Sequence, residues 1–110
     1  EIDAHLIIAI IAIESSFNPL AESSAGAQGL MQIMPKIHKK KFEKYGGFAN
    51  ILEVRTNVFV GSEILSNYYR RYGSYRRALL AYVGVRQSSK SRYPDKVLRI
   101  QKRLKKMVRG

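Results

Sequence analysis

The stretch LIIAIIAIESSFNPLAESSAGAQGLMQIMP, residues 6–35, decides the fold of this 110-residue chain. Its first eight residues, Leu6 to Ile13, are apolar on every side, and Asp3 is of a residue type that caps helix N-termini. An apolar run without a polar face predicts a helix that is buried in the core. The helix is expected to stop at Phe17-Asn18-Pro19, because a residue before proline avoids helical backbone angles.

The remaining segments also predict helices, and none shows the alternation of a strand. A loop over residues 21–29 and a short apolar turn over 30–34 follow the first helix. Three further helices are predicted: one over 36–45, one that opens at Asn50 and closes at Gly73, and one over 75–82 that Ser74 caps. A last helix is predicted from Pro94, and its buried stripe consists of Val97, Ile100, Leu104 and Val108. The length fits one domain. The prediction is therefore an all-α single domain over residues 1–110, with about six short helices around a buried first helix.

The charge of the chain is strongly positive and unevenly distributed. The net charge is +12, and from Arg70 onward there are fourteen Lys or Arg against one acid, Asp95. One interpretation is a surface that attracts a polyanion, namely nucleic acid, anionic lipid or an acidic wall polymer. The other is a basic helix face that is only solvated. Charge alone does not choose between these interpretations.

Several classes of protein and site are disfavoured by the composition. The chain has no cysteine, which excludes disulfides and thiolate metal sites. Its longest apolar run has eight residues, far below the roughly 20 that span a bilayer, and no signal-peptide pattern precedes it. His5 and His38 are isolated from any acidic cluster with ligand spacing. We expect no metal and no cofactor.

Glu14 is the anomaly in the first helix, because a carboxylate ends an otherwise apolar segment. The negative end of the helix dipole and the apolar surroundings both favour a protonated carboxyl, so the pKa of Glu14 is expected to be raised. A carboxyl that keeps its proton near neutral pH can serve as a general acid at a glycosidic oxygen. The alternative from the helix alone is a Glu that reaches solvent where the helix ends.

The segment that follows Glu14 resembles the signature of a known family. Residues 14–35 match the soluble lytic transglycosylases of family 1, which have a lysozyme-like fold, in residue type and in spacing. Asn57-x-x-x-Gly61-x-x-x-Leu65 and Ala78-Leu79-x-Ala81-Tyr82-x-Gly84 are similar to the second and third motifs of that family. The resemblance extends from Leu6 to about Val97 and implies a sugar-binding cleft.

The resemblance implies a role for five residues. Glu14 falls on the catalytic acid, Ser23 on a serine that hydrogen-bonds near it and orients substrate, and Tyr82 on a tyrosine that holds the catalytic Glu. Gln32 and Met34 fall on the segment that lines the sugar cleft. Each also has a plainer interpretation: a turn cap for Ser23, a surface amide for Gln32, and core packing for Met34 and Tyr82.

The implied reaction cuts the β-1,4 bond between N-acetylmuramic acid and N-acetylglucosamine without water and leaves a 1,6-anhydro ring. Ordinary glycosidases need two carboxylates, whereas an intramolecular attack needs one group that acts first as acid and then as base. The sequence agrees, because Glu22 is the one other acid near Glu14 and is interpreted as a surface residue. The implied partner is the glycan strand of peptidoglycan in the periplasm or outside the cell. Anionic wall polymers or the machinery of secretion and appendages are further candidate partners, while no nucleic acid is expected, and we expect a monomer.

One position departs from the family pattern. Val83 follows Tyr82, where the family has an asparagine that supports the site. Reduced activity or an altered range of substrates is therefore expected. Three alternatives stay open: a non-catalytic wall-binding or scaffolding module, a lysozyme-type hydrolase on the same fold, and a nucleic-acid binder that rests on charge alone.

Overall fold

A computed structural model describes residues 2–109, without the side chain of Arg109. Over these residues the regular structure is helical, and β-pairing is limited to two isolated bridges, Glu22 with Gln28 and Gln28 with Ile33. The predicted all-α class is confirmed. The described elements are α1 (Ala4–Ser15), α2 (Lys39–Glu43), a 3-10 helix (Phe48–Asn50), α3 (Val54–Tyr72), α4 (Tyr75–Tyr82) and α5 (Tyr93–Arg109). Within residues 2–109, no helix combines the length and the apolar character that crossing a bilayer requires.

Helix α1 is the most apolar element, as its sequence predicts. The backbone carbonyl of Asp3 accepts from the amides of Leu6 (3.0 Å) and Ile7 (3.3 Å) and so starts the helix. Leu6 and Ile10 are completely buried, whereas Ile8 is 39% exposed. Burying a Leu or Ile side chain stabilises the fold by about 1.5–3 kcal/mol. This burial holds α1 in place and fixes the position of its C-terminal end.

The chain forms two compact units, one of Ile10–Gly61 and the other of residues 2–9 with 62–109. Each unit contains buried apolar side chains. The buried side chains of the first include Ile10, Ile11, Leu30, Met31, Ile33, Phe42, Ile51 and Val60, and those of the second include Leu6, Ile7, Ala9, Ile64, Leu65, Ala78, Leu79, Leu80 and Val97.

Helix α2 is shorter than predicted. The sequence predicts a helix over 36–45, but the structure has one only over Lys39–Glu43. Its N-cap residue, His38, makes no side-chain capping bond. Lysines spaced three or four residues apart repel each other on a helix, so the basic run does not support helix at residues 36–38 and 44–45.

Helix α3 begins four residues later than predicted. Asn50 ends the 3-10 helix, and its side-chain Nδ2 donates to the carbonyl of Tyr45, so this residue does not cap α3. The helix instead starts after Glu53, whose carbonyl accepts from the Asn57 amide (2.9 Å) and whose carboxylate accepts from Thr56 Oγ1 (2.7 Å).

The predicted ends of the later helices agree closely with the structure. Ser74 Oγ accepts from the amide of Arg77 (3.2 Å) and caps α4, and Gly73 follows α3 with φ 80°. Helix α5 begins at Tyr93, one residue before the predicted start, and α4 packs against it. Asp95 in the first turn of α5 bonds to Arg76 and Arg92, so this acid joins α4, α5 and the loop between them.

Candidate active site

Glu14 lies one residue before the end of α1 and is half-buried. Ser15 is buried, and its Oγ donates to the carbonyl of Ile11 (3.1 Å). The chain then leaves the helix at Ser16 and Phe17, which adopt positive φ angles of 50° and 65°. The carboxyl of Glu14 is thus carried by a rigid helix end, directly before a sharp change in chain direction.

Backbone strain is concentrated in the segment after Glu14. Among residues 2–109, three non-glycine residues have positive φ: Ser16, Phe17 and Gln32. L-residues pay a steric cost in this region because Cβ approaches the backbone, and such strain clusters at functional sites. All three residues lie within 14–35, the segment that the sequence singles out.

The loop after the turn is held by bonds among its own residues. Ser23 forms a tight turn with Ala27: its amide donates to the Ala27 carbonyl (2.9 Å), and its Oγ accepts from the Ala27 amide (3.0 Å). Gln28 and Ile33 exchange two backbone bonds of 3.0 Å each. Ser23 is therefore placed as the turn cap of the plainer interpretation, and its role toward substrate stays a prediction.

Gln32 supports the loop from within. Its Nε2 donates to the carbonyls of Ala21 (3.1 Å) and Gly29 (2.9 Å), while the Gly29 amide donates to Ala21 (2.9 Å). The side chain is half-buried and tied to backbone, so it is not a free surface amide. Met34 is half-buried at the end of this loop. Lining of a sugar cleft by Gln32 and Met34 stays a prediction.

Asn57 is the residue that sequence analysis did not place in the site. It lies in α3 and is completely buried. Its Oδ1 accepts from the amide of Met31 (2.8 Å), and its Nδ2 donates to the carbonyls of Gln28 (3.0 Å) and Ile51 (2.9 Å). A polar residue on the inward face of a helix was the available signal, because buried polar groups are almost always hydrogen-bonded.

Two glycines allow α3 and the loop to approach closely. A Cβ on Gly29, which has φ 82°, would lie 2.7 Å from Cγ of Asn57. A Cβ on Gly61 would overlap the Met31 side chain, with Cε at 2.8 Å. Asn57 and Gly61 are the fixed positions of the second family-like motif. In the structure this motif clamps the loop that follows Glu14.

Tyr82 is the last residue of α4 and is half-buried. It belongs to the unit that contains residues 62–109, whereas Glu14, Ser23, Gln32 and Met34 belong to Ile10–Gly61. The structure therefore brings four of the five predicted site residues into one unit. The predicted hold of Tyr82 on Glu14 stays a prediction.

Val83 does not disturb the local backbone. The chain leaves α4 at Gly84, which has φ 76°. The amide of Gly84 donates to the carbonyl of Ala81 (3.0 Å), and the amide of Val85 donates to the carbonyl of Leu80 (3.1 Å). This pair of bonds is a Schellman motif, which needs glycine but accepts many residues before it. The departure from the family pattern therefore removes a polar side chain without changing the turn.

The two histidines lie in different surroundings. His5 Nδ1 is 3.0 Å from Asp3 Oδ1. His38 lines a depression of about 370 Å³ together with Lys36, Ile37 and Lys39 to Lys41. Burial, and then the charge of Lys41, lower the pKa of His38. Within residues 2–109, no three His, Asp or Glu side chains form a group that could hold a metal ion.

Comparison with known proteins assigns the chain to a family. The family model "Transglycosylase SLT domain" matches residues 1–96, so this chain belongs to that family. Its sequence is 35% identical over 103 residues to a transglycosylase of Enterobacteria phage PRD1, covering 89% of this chain and 37% of that protein. It is also 36% identical to the soluble lytic murein transglycosylase of Escherichia coli K12, covering 69% of this chain and 13% of that protein.

Solved structures confirm the lysozyme-like fold that the sequence predicts. The 70-kDa soluble lytic transglycosylase in complex with bulgecin A matches with a TM-score of 0.85 over 98% of this chain and 22% of that one, at 23% identity. The 70 kDa enzyme from Escherichia coli matches with a TM-score of 0.68 over 91% of this chain and 16% of that one, at 28% identity. The chain thus spans well under half the length of these relatives.

Proposed function

We propose that this chain is a peptidoglycan lytic transglycosylase in which Glu14 is the single general acid and base. The observation that carries the proposal is the placement of Glu14 at the end of the buried helix α1, followed at once by the strained turn and by a loop that Asn57 clamps. Family membership and the names of the relatives support the same chemistry.

The proposed reaction conserves all atoms of the glycan strand. Glu14 donates its proton to the oxygen that joins C1 of N-acetylmuramic acid to N-acetylglucosamine, and the C1–O bond breaks. The C6 hydroxyl of the same muramic acid then bonds to C1 and gives its proton to the Glu14 carboxylate. The substrate N-acetyl group stabilises the positive charge at C1 between the two steps. Glu14 ends protonated, the product carries a 1,6-anhydro ring, and no water is consumed.

The proposal needs only one carboxylate. Retaining and inverting glycosidases place two carboxyl groups around the scissile bond. Glu22 lies in the loop that follows Glu14, but it is exposed and its backbone pairs with Gln28. We assign Glu22 no catalytic role. Ser23, Gln32, Met34 and Tyr82 are proposed to position the strand, and within the loop the bonds of Ser23 and Gln32 supply the needed rigidity.

The cellular setting is proposed from the substrate. Peptidoglycan strands lie in the bacterial envelope, so we propose a periplasmic or secreted location and a monomer that acts on the wall, with residues 1–110 forming one transglycosylase domain. Anionic wall polymers or a secretion or appendage machinery are further candidate partners. Nucleic acid is not among the partners that we propose.

Mass spectrometry of the products from purified sacculi tests this function. Wild-type protein should release anhydro-muropeptides, and Glu14→Gln should lower their release at least about 100-fold, because a general acid contributes that much or more. Glu22→Gln is the matched control, with the same chemical change in the neighbouring loop, and should keep activity near wild type. Urea unfolding of each variant verifies that the fold is retained.

Three other results would contradict the proposal. Products with reducing ends would identify a lysozyme-type hydrolase. Release of no product by wild type, together with binding to sacculi, would identify a non-catalytic wall-binding module. Equal losses for Glu14→Gln and Glu22→Gln would show that Glu14 has no special role.

A further inference from the structure

We propose that the C-terminal half of α5 docks this domain on an anionic lipid surface. The proposed surface has two parts. The apolar edge consists of Leu104, Met107 and Val108, and the flanking cations are Arg103 and Lys105. This inference concerns a surface outside the motif around Glu14 and does not depend on the catalytic proposal.

The apolar edge continues the stripe that packs α5 into the core. With 3.6 residues per turn, Val97, Ile100, Leu104, Met107 and Val108 all face one side of the helix. Val97 is completely buried, Ile100 and Leu104 are half-buried, and Met107 and Val108 are each 74% exposed. The stripe therefore extends beyond the core that it serves. An apolar helix face that is exposed in this way is suited to an external apolar partner.

Cations border the apolar edge on both sides. In the helical arrangement Lys105 lies next to Val108, and Arg103 lies next to Met107, while Lys102 and Lys106 occupy the opposite face. All four of these cations are exposed. Lys105 Nζ is 3.4 Å from Asp3 Oδ2, which offsets part of its charge. The single acid of α5, Asp95, lies in the first turn and is bound by Arg76 and Arg92.

This combination fits an anionic bilayer better than other polyanions. Nucleic acid and charged wall polymers would engage the cations but would leave Met107 and Val108 in water. A bilayer interface takes the apolar side chains into the acyl boundary while Lys and Arg reach the anionic headgroups. A second copy of this chain would oppose two surfaces of the same sign, on a protein whose net charge is +12.

The family assignment does not account for this pattern. The family match ends at residue 96, so the apolar edge and the flanking cations all lie beyond it. If α5 served only to complete the fold, the exposed apolar side chains of Met107 and Val108 would contribute no stability. The proposed lipid binding therefore rests on residues outside the segment that assigns the family.

Vesicle sedimentation measures the docking directly. Wild-type protein should bind vesicles of phosphatidylglycerol and phosphatidylcholine, and should not bind vesicles of phosphatidylcholine alone. Arg103→Gln/Lys105→Gln should weaken binding at least about fivefold, since each cation near an anionic surface contributes about a factor of five and Asp3 offsets part of the charge of Lys105. Met107→Gln/Val108→Asn keeps the charge and should weaken binding at least about tenfold. The matched control, Lys39→Gln/Lys40→Gln, removes two exposed charges from α2 and should bind nearly as wild type.

A fluorescence experiment locates the contact, because the chain contains no tryptophan. Met107→Trp introduces one indole on the apolar edge, and its emission should shift to shorter wavelength when anionic vesicles are added. Ile37→Trp is the matched control, since Ile37 is 68% exposed and lies between Lys36 and His38. Its emission should not shift.

Several outcomes would overturn the proposal. Equal losses for Lys39→Gln/Lys40→Gln and Arg103→Gln/Lys105→Gln would mean that net charge alone drives binding. Full binding by Met107→Gln/Val108→Asn would mean that lipid insertion is wrong. A wild-type dimer in sedimentation velocity that Met107→Gln/Val108→Asn dissociates would assign the edge to a second copy. Glu14→Gln should bind vesicles as wild type does, which separates failure of this proposal from failure of the catalytic one.

Discussion

Asn57 holds the loop of the candidate site from outside that loop. It satisfies one backbone amide and two backbone carbonyls, of Met31, Gln28 and Ile51. These partners are 26, 29 and 6 residues away in sequence. One buried amide thus joins the loop to α3 and to the segment before it.

Asn57→Ala is expected to lower the free energy of unfolding by about 3 kcal/mol. The change leaves buried backbone groups without partners, and each such group costs about 1–3 kcal/mol. Urea unfolding measures the loss. Asn67→Ala is the control, because Asn67 lies in the same helix and accepts from Arg70 at an exposed site. A loss for Asn57→Ala no larger than that for Asn67→Ala would show that the clamp is not structural.

Val83 is the second residue at which a substitution has a specific predicted effect. The Schellman motif at Gly84 forms with valine in place, so an asparagine there would add an amide to an unchanged turn. Val83→Asn is expected to raise turnover of sacculi several-fold, because the family has an asparagine at this position. The released anhydro-muropeptides give the rate.

Val83→Ala is the control for this change. It removes apolar bulk without supplying an amide and should not raise turnover. Equal turnover of wild type and Val83→Asn would remove the idea that valine limits activity.

At the level of elements, the packing of α3 against the loop is set by the absence of a side chain at Gly61. The Met31 side chain, which is completely buried, occupies the space that a Cβ would take. A glycine inside a helix costs about 1 kcal/mol relative to alanine. That cost is offset here, because the close approach lets Met31 pack on the helix backbone.

Gly61→Ala is therefore expected to destabilise the fold by about 1–3 kcal/mol, although alanine favours helix, because the added methyl overpacks a filled core. Ser66→Ala, in the same helix, should have little effect or a slightly stabilising one. In a double-mutant cycle with Met31→Ala, the two losses should sum to more than the loss of the double variant. Strict additivity would show that Gly61 and Met31 do not interact.

At the level of the whole molecule, most of the positive charge lies in the second half of the sequence. One acid near the start of the chain, Asp3, contacts side chains of this basic half. The Asp3 carboxylate accepts from Gln101 Nε2 (2.8 Å), and Lys105 Nζ lies 3.4 Å from it. Residues at the two ends of the sequence are thereby joined within one unit. The bond from Gln101, then that from His5, hold the pKa of Asp3 well below its usual value of 3.8.

Asp3 makes stability depend on acid pH with a definite sign. Because its pKa is lower in the folded chain, its contribution is present above about pH 4 and is lost as the pH falls toward the folded value. Asp3→Asn should therefore be less stable than wild type near neutral pH, and the difference should shrink progressively as the pH falls from about 4 to about 2. Urea midpoints across this range measure the difference. A difference that does not change with pH would contradict the assignment.

Sequence alone determined the features that depend on residue type and local spacing. The apolar run of α1, the carboxyl of Glu14 that ends this run, the capping of α4 by Ser74 and the excess of cations after Arg70 are all local properties. Hydrophobic periodicity and capping chemistry act within a few residues, so a sequence reports them directly. The family-like spacing over residues 14–35 also required no structure.

Tertiary structure decided everything that depends on distant neighbours. The bonds of Asn57 join α3 to backbone groups that no sequence spacing identifies, and α3 begins at Val54 because Asn50 donates to Tyr45. Val108 was predicted to be buried from the periodicity of α5, but it is 74% exposed. Helical period gives the face on which a residue lies, whereas burial requires a packing partner opposite that face. For this reason the sequence indicated the chemistry of Glu14, while the structure revealed the clamp on its loop and the uncovered end of α5.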